Sequence, residues 1–178
     1  MKQKSKKRFW NSEKLLSTAA IIASMGTMFV IIYQTSLIRT QQYASVLPYL
    51  EVWNSSPNDS SYSLILVNNG IGPAFIESIQ IHYNDTVFAL DPANFTDSII
   101  AKREGLTPDF YYSNIIRGRL IPAGEMVSMV GISDNKKSAK VFKQWFGEQK
   151  AQVEIQYRSI YEERWKAKGL MKEPEKID

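Results

Sequence analysis

From Leu15 to Tyr33 the chain reads LLSTAAIIASMGTMFVIIY, nineteen residues without a charge. No other feature limits the fold so strongly. As a helix rising 1.5 Å per residue, this run covers about 28 Å, close to the hydrocarbon thickness of a bilayer. In lipid every backbone N–H and C=O needs an internal partner, and a lone segment finds those partners only as a helix. We therefore expect a transmembrane helix over 15–35. Phe9 and Trp10 lie near one rim of it and Tyr33 at the other, where interfacial aromatics belong. A cleaved signal peptide would have a shorter apolar core and a small-residue cleavage site, whereas QTSLIRTQQYAS follows here. A buried helix of a soluble protein would have no use for the basic flank described next.

The formal net charge is +4 and the pI is about 9.2. Residues 1–14 carry Lys2, Lys4, Lys6, Lys7, Arg8 and Lys14 against Glu13 alone, and the rest of the chain holds 16 Lys/Arg against 17 Asp/Glu. The body is thus almost neutral, whereas a nucleic-acid-binding domain carries its basic face on the fold itself, so no nucleic-acid partner is expected. Only Arg39 follows within fifteen residues of the span. The positive-inside bias puts a basic segment, 1–14, in the cytoplasm and the C-terminal body outside the cytoplasmic (inner) membrane, in the periplasm of a Gram-negative cell. The lipid bilayer is the first expected partner.

Small residues run along the span. Ala19, Ala23 and Thr27 recur every fourth position, with Gly26 beside them. Such a strip lets two helices approach closely, and a homo-oligomer formed through this helix is one reading of it. The other is that Ala, Ser and Thr are simply common in such helices.

Beyond the span, residues 36–47 are polar and read as a stalk that Pro48 ends. The stretch 48–161 is strand-rich. YLEVW at 49–53, YSLILV at 62–67, FIESIQIHY at 75–83, TVFAL at 86–90, MVSMVGI at 126–132 and the start of AQVEIQYRSIY at 151–161 are separated by Gly, Pro, Asn and Asp turns. Asn84-Asp85 marks a hairpin. Val141, Phe142, Trp145 and Phe146 recur at helical spacing over 138–146, which predicts one amphipathic helix capped by Gly147. Residues 91–117 hold no sustained period and read as a long excursion with one helical turn near 97–104. The tail, 162–178, is charged and is expected to be loosely held. The fold class that follows is mainly β: a transmembrane helix and stalk, then an antiparallel Ig-like β-sandwich with one amphipathic helix.

ASVLPYLEV at 44–52, LVNNGIGPAFIESIQIHY at 66–83 and VEIQYRSIYEERW at 153–165 resemble a loose set of bacterial single-pass membrane proteins with an exported Ig-like domain. The resemblance covers about the whole length, and its most distinctive piece is NNGIGPA at 68–74. That piece is turn chemistry, not catalysis. The resemblance implies a fold and an envelope location, and it brings no catalytic residues with it.

Little in the body points to chemistry. The chain has no cysteine, which removes disulfides, thiolate nucleophiles and Cys-based metal sites, and its one histidine, His82, makes a multi-His site impossible. His82 falls on the polar face of a strand with no partner evident. Asp85, Asp91, Asp97 and Asp109 could offer oxygen ligands to Ca²⁺, but their spacing is no EF-hand, and solvated loop acids are the expectation. NGIGPA matches no phosphate-binding loop. SDNK at 133–136 overlaps two motifs that serine acyl-enzymes keep apart, and no K-T-G accompanies it, so it reads as a polar turn. Four N-x-[ST] sequons, at Asn54, Asn58, Asn84 and Asn94, are chance in a bacterial chain. No catalytic residue, metal or cofactor is expected. Phe110, Tyr111 and Tyr112 remain as the place for a recognition surface, because aromatic residues anchor interfaces; equally, they could plug one end of the sandwich. The reading that follows is a membrane-anchored, non-enzymatic interaction or scaffold module with other membrane or envelope proteins as partners. The alternative is a sensor or effector subunit of a bacterial stress or phage-defence system.

Overall fold

The computed structural model describes residues 12–107 and 109–177. Most of the basic segment, with Phe9 and Trp10, lies outside the described residues. The chain divides into two compact units at Ala44/Ser45.

The first unit is one helix, α1 (Ser12–Ala44), none of whose residues is buried. It is long and apolar enough to cross a membrane. Ser24 Oγ donates to the Ala20 carbonyl at 2.8 Å, and Thr27 Oγ1 donates to that of Ala23 at 2.9 Å. These hydroxyls, which would be costly in lipid, are therefore spent on the helix's own backbone.

The second unit holds two antiparallel sheets. The first has the order β1 (Leu50–Ser55), β2 (Tyr62–Asn68), β7 (Met126–Ile132), β5 (Tyr111–Tyr112). The second runs β10 (Glu175–Ile177), β9 (Arg164–Lys168), β8 (Gln152–Arg158), β3 (Ala74–Tyr83), β4 (Thr86–Phe88), with β6 (Leu120–Ile121) also on β3. The period-2 pattern sets the faces. Leu50, Val52, Leu64 and Leu66 from the first sheet join Ile76, Ile81, Val153, Ile155 and Tyr157 from the second in one buried core. Fully burying each such aliphatic side chain contributes about 1.5–3 kcal/mol. Tyr157 carries its hydroxyl across to accept from Leu50 N at 3.2 Å, and burial pushes its phenol well above the ordinary range. At the β3–β4 hairpin, Asn84 (φ 45) and Asp85 (φ 56) both turn left-handed, as a two-residue hairpin loop with right-twisted strands requires.

Two helical stretches depart from the sequence expectation. The excursion is helical without a break from Pro92 to Glu104: α2 (Pro92–Phe95), a wider π turn (Thr96–Ile100) and α3 (Ala101–Glu104). Asp91 caps its start by accepting from Asn94 N at 2.8 Å, and Gly105 ends it. Further on, α4 (Lys136–Phe142) continues into a second π turn (Lys143–Gly147), with Ala139, Phe142, Trp145 and Phe146 buried. Gly147 belongs to that last turn and is not its cap; Glu148 follows it. The tail is not loose. Arg164–Lys168 pairs residue by residue with β8, and Glu175–Ile177 pairs with β9. Its charges mislead because they face outward, while Ala167 faces in and is buried.

Candidate functional site

The three aromatics expected to act together are divided by the strand they sit on. Neighbouring side chains of an extended segment point to opposite sides. Phe110 turns toward the core, 6.3 Å from the Phe142 ring and 5.8 Å from Tyr112. Phe110 and Tyr112 line a shallow cleft with Ala93, Asn94, Asp97 and Asn114. Tyr111 goes the other way. Its ring lies over Gly131, where any Cβ would collide with it, and its hydroxyl meets Ser63 Oγ in a short hydrogen bond.

Tyr111 thereby joins the outer face of the first sheet. Directly paired residues share a face. The pairs Trp53↔Ile65 and Ile65↔Ser128, Glu51↔Val67 and Val67↔Met126, and Ser63↔Gly131 and Gly131↔Tyr111 form three rows across the strands. Trp53, Ile65, Met126 and Tyr111 give these rows apolar side chains and Glu51, Ser63 and Ser128 polar ones, while Val67 is buried. Tyr111 and Met126 are 47% and 58% exposed, so two of the rows end in solvent-facing apolar groups. Glu51 closes one corner, accepting from Trp53 Nε1 at 3.2 Å and from the Asn69 amide. YLEVW and YSLILV are legible in the sequence as strands, but not which of their residues share this face or pair toward 111 and 126.

The outer face of the second sheet is built from charge. Gln80, Glu154 and Lys168 stand in line on β3, β8 and β9. Glu154 is buried, at 5% exposure, although it points away from the core. Its Oε1 accepts from Gln80 at 2.8 Å and Gln156 at 3.3 Å, and its Oε2 lies 3.3 Å from Lys168 Nζ. His82 Nε2 comes within 2.9 Å of the same oxygen but out of line for a hydrogen bond. Burial pushes the Glu154 carboxyl up; the hydrogen bonds from Gln80, Lys168 and Gln156 outweigh it and hold the group below the ordinary carboxylate range. His82, expected without a partner, thus lies beside the Glu154–Lys168 pair, its Nδ1 3.4 Å from Lys168 Nζ. No group of three His, Asp or Glu side chains able to hold a metal occurs among the described residues.

NNGIGPA is a knot. Asn68 is completely buried and all of its side-chain polar capacity is used. Its Nδ2 donates to the carbonyls of Gly72 (2.9 Å), Ile121 (3.0 Å) and Pro122 (3.1 Å), and its Oδ1 accepts from Tyr49 N (3.1 Å) and Gly70 N (3.0 Å). Gly72 packs so closely on the Val46 carbonyl that a Cβ would overlap it. These residues fasten the start of β1, the end of β2 and β6 together.

On α1, Ala19, Ala23, Gly26 and Thr27 are all exposed. Ala23, Ser24 and Thr27 line a shallow groove with Met28, Ile31 and Ile32. Elsewhere, Lys136, Lys140 and Lys143 rim a depression beside α4, where Lys136 pairs with Asp59 at 3.1 Å in full solvent. Comparison with protein-family models, curated proteins and solved structures finds no match to this chain.

Proposed function

We propose that the protein is a membrane-anchored, non-enzymatic interaction module. Its helix α1 spans the cytoplasmic membrane with the N-terminus inside, and it displays an Ig-like β-sandwich on the outer, periplasmic side. The observation that carries this reading is the pairing of a 33-residue helix with no buried residue and a body whose core is complete without it. An apolar helix that the protein itself leaves uncovered needs lipid or another helix to cover it. The basic residues before it and the lone Arg39 after it favour the orientation. Confinement to a membrane raises the effective concentration of the body for partners there, so modest contacts suffice.

The partner surface we assign is the outer face of the first sheet around Tyr111. Aromatic side chains that expose one flank and hold the other fixed make good anchors, since little rotamer entropy remains to be lost. The proposed partners are other membrane or envelope proteins. The test is site-specific cross-linking in cells with a photo-reactive phenylalanine analogue at position 111, or at Val87 on the other sheet as a control. Protein adducts from 111 and none from 87 are expected. Equal yields at the two positions would remove the face from the proposal. A C-terminal alkaline phosphatase fusion tests topology, and an inactive fusion would reverse the orientation.

The second reading, a sensor or effector subunit that signals through helix association, is favoured by one observation. Ser24 and Thr27 satisfy their hydroxyls on their own helix, which leaves the Ala19–Ala23–Thr27 strip flush and without unmet polar groups. A second α1 could pack against such a strip by van der Waals contact. Ala23→Leu should then shift the oligomer seen after detergent extraction, and an unchanged oligomer would count against it.

A further inference from the structure

The register brings one end of the body together. Leu50 opens β1 opposite Asn68 at the end of β2, Val67 faces Met126, and Phe75 faces both Leu120 and Arg158. The Asn68 hydrogen bonds and the Tyr157–Leu50 link show that these strand ends of the two sheets coincide. Two connections lie at this end, 69–73 and 159–163, with the later part of a third, 113–125, and the five residues Ser45–Tyr49 that enter the body from α1. Six of the body's large apolar side chains that face water are here: Ile71, Ile116, Leu120, Met126, Ile160 and Tyr161. Ile71 and Ile160 sit on loop tips, 66% and 54% exposed, where no packing requirement calls for isoleucine.

We propose that this end of the body is a lipid-contact surface, whose loop-tip isoleucines enter the headgroup layer of the membrane that α1 crosses. The inference rests on reading α1 as a span. Two observations favour lipid over a protein as the occupant. The first is chain length. From Leu15 to Ile38 there is no charged residue, and Arg39 is the first. From Arg39 to the last helical residue, Ala44, is about 7.5 Å at 1.5 Å per residue, similar to the thickness of one headgroup layer. The body therefore begins at the membrane surface, and its entry end is the end tethered there.

The second observation is how the acids of this end are treated. Glu77 lies 3.2 Å from Arg164 and 3.8 Å from Arg158, Glu125 is 3.6 Å from Arg119, Glu162 pairs with Arg158, and Glu163 is 2.6 Å from Lys176. These four carboxylates are each neutralised by a cation within the fold, whereas Glu51 and Glu173, whose charges reach Tyr49, have no cation partner among the described residues; Arg117 stands exposed beside Ile116. Apolar loop tips, arginines and a tyrosine, with four of the acids paired, match the composition of an interfacial surface.

The chain lacks cysteine, so single-cysteine variants label cleanly. Full-length protein is reconstituted in vesicles of phosphatidylethanolamine and phosphatidylglycerol, with bimane at Ile71→Cys, Ile160→Cys, Val87→Cys or Ile22→Cys. Lipids carrying a nitroxide on the headgroup should quench bimane at 71 and 160 several-fold more than at 87, which lies on the β3–β4 hairpin at the other end. Lipids with the nitroxide deep in the acyl chain should quench 22. If 22 is quenched while 71 and 160 behave like 87, the lipid-contact surface is wrong and the anchor stands. If 22 is not quenched, the anchor itself fails and this inference falls with it. Shielding of 71 and 160 from aqueous iodide without nitroxide quenching would show a protein there instead, and would equally overturn the proposal. All four positions are exposed, and circular dichroism of each variant checks that the fold is kept.

Discussion

On β8, a carboxylate that points away from the core is drawn under cover by four side chains from its own and neighbouring strands. On β7, the first sheet solves the same problem of a solvent-facing surface differently: it has a glycine there, and a tyrosine from the excursion lies over it. The two outer faces of one small body thus use opposite chemistry. The second sheet's face turns its charge inward. Gln80, Gln156 and Lys168 take up the Glu154 carboxylate, with only His82 Nε2 beside them left without a hydrogen bond among the described residues. The first sheet's face mixes apolar side chains with Glu51, Ser63 and Ser128 and leaves one aromatic half in solvent. A surface that has already spent its hydrogen bonds is a poor recognition face, whereas one that still exposes apolar area gains by being covered.

The largest expected effect strikes the join that holds both faces in place. Asn68→Ala would strand the N–H groups of Tyr49 and Gly70 and take the amide from the Gly72 and Ile121 carbonyls in a largely buried setting, while the Pro122 carbonyl keeps Glu125 N. At a desolvation cost of about 1–3 kcal/mol for each group that finds no water, a loss of at least about 3 kcal/mol is expected. Chemical denaturation of the detergent-solubilised chain measures it. A loss under about 1 kcal/mol would mean that water replaces the amide, and the knot would then be no more than a turn.

Glu154→Ala comes next. Removing one partner from a buried ionic cluster leaves the others uncompensated, which costs about 3–5 kcal/mol where the cluster is fully enclosed. Lys168 and His82 are each about a third exposed, so screening reduces this, and about 2 kcal/mol is expected. Glu154→Leu should recover part of the loss if the face is only structural, because an apolar isostere avoids the charge desolvation. A variant as stable as the wild type would erase the contrast between the two faces.

How much of this could be read in the chain follows the same physics. The strands 75–83 and the start of 151–161 announce themselves because the core demands apolar residues at every second position, and 62–67 and 126–132 as short apolar runs bounded by turns. The helical stretch at 92–104 is hidden by its side-chain chemistry. Its start is marked by Asp91-Pro92 and its end by Gly105. Ala93, Thr96 and Ile100 on the buried side do keep a spacing of three and four, but a small alanine and a polar threonine do not register as an apolar stripe. Strands β9 and β10 are missed for another reason. Near a sheet edge a strand needs few core residues, and Ala167 is the only fully buried one in β9. The aromatic triplet marks a structured segment, but a two-residue strand cannot reveal that Tyr111 and Tyr112 part company. That depends on the pairing with Gly131, twenty residues away.

A pH series sharpens the contrast without altering the shape of the molecule. The Glu154 carboxyl titrates below its ordinary value of 4.5 in the folded chain. A depressed carboxylate stabilises the fold fully above its unfolded value. That contribution is lost as the pH falls from there through the lower folded value. Thermal unfolding of the wild type from pH 6 to pH 3 should show this loss, and Glu154→Gln should show a shallower acid limb. Parallel curves for the two proteins would mean that the ionisation of Glu154 does not matter to the fold.

The smallest stability effect belongs to Tyr111→Ala, and it separates the faces best. Nearly half of the tyrosine is already in water, and its ring covers a glycine and a serine at the end of the sheet. Deleting it uncovers Gly131 and breaks one hydrogen bond to Ser63, so the fold should lose about 1 kcal/mol. If the first sheet's face is the recognition surface, the same change should abolish cross-linking from a photo-reactive group placed beside it at Trp53, because a half-exposed aromatic anchor contributes far more to an interface than to its own fold. Glu154→Gln, which alters the other face, should leave that cross-link intact. The informative result is therefore a crossed pattern: one variant keeps stability and loses the partner, and the other loses acid resistance and keeps it. Should Tyr111→Ala lose both together, Tyr111 would be a packing residue that closes the end of the sheet, and the partner surface would have to be sought elsewhere on the body.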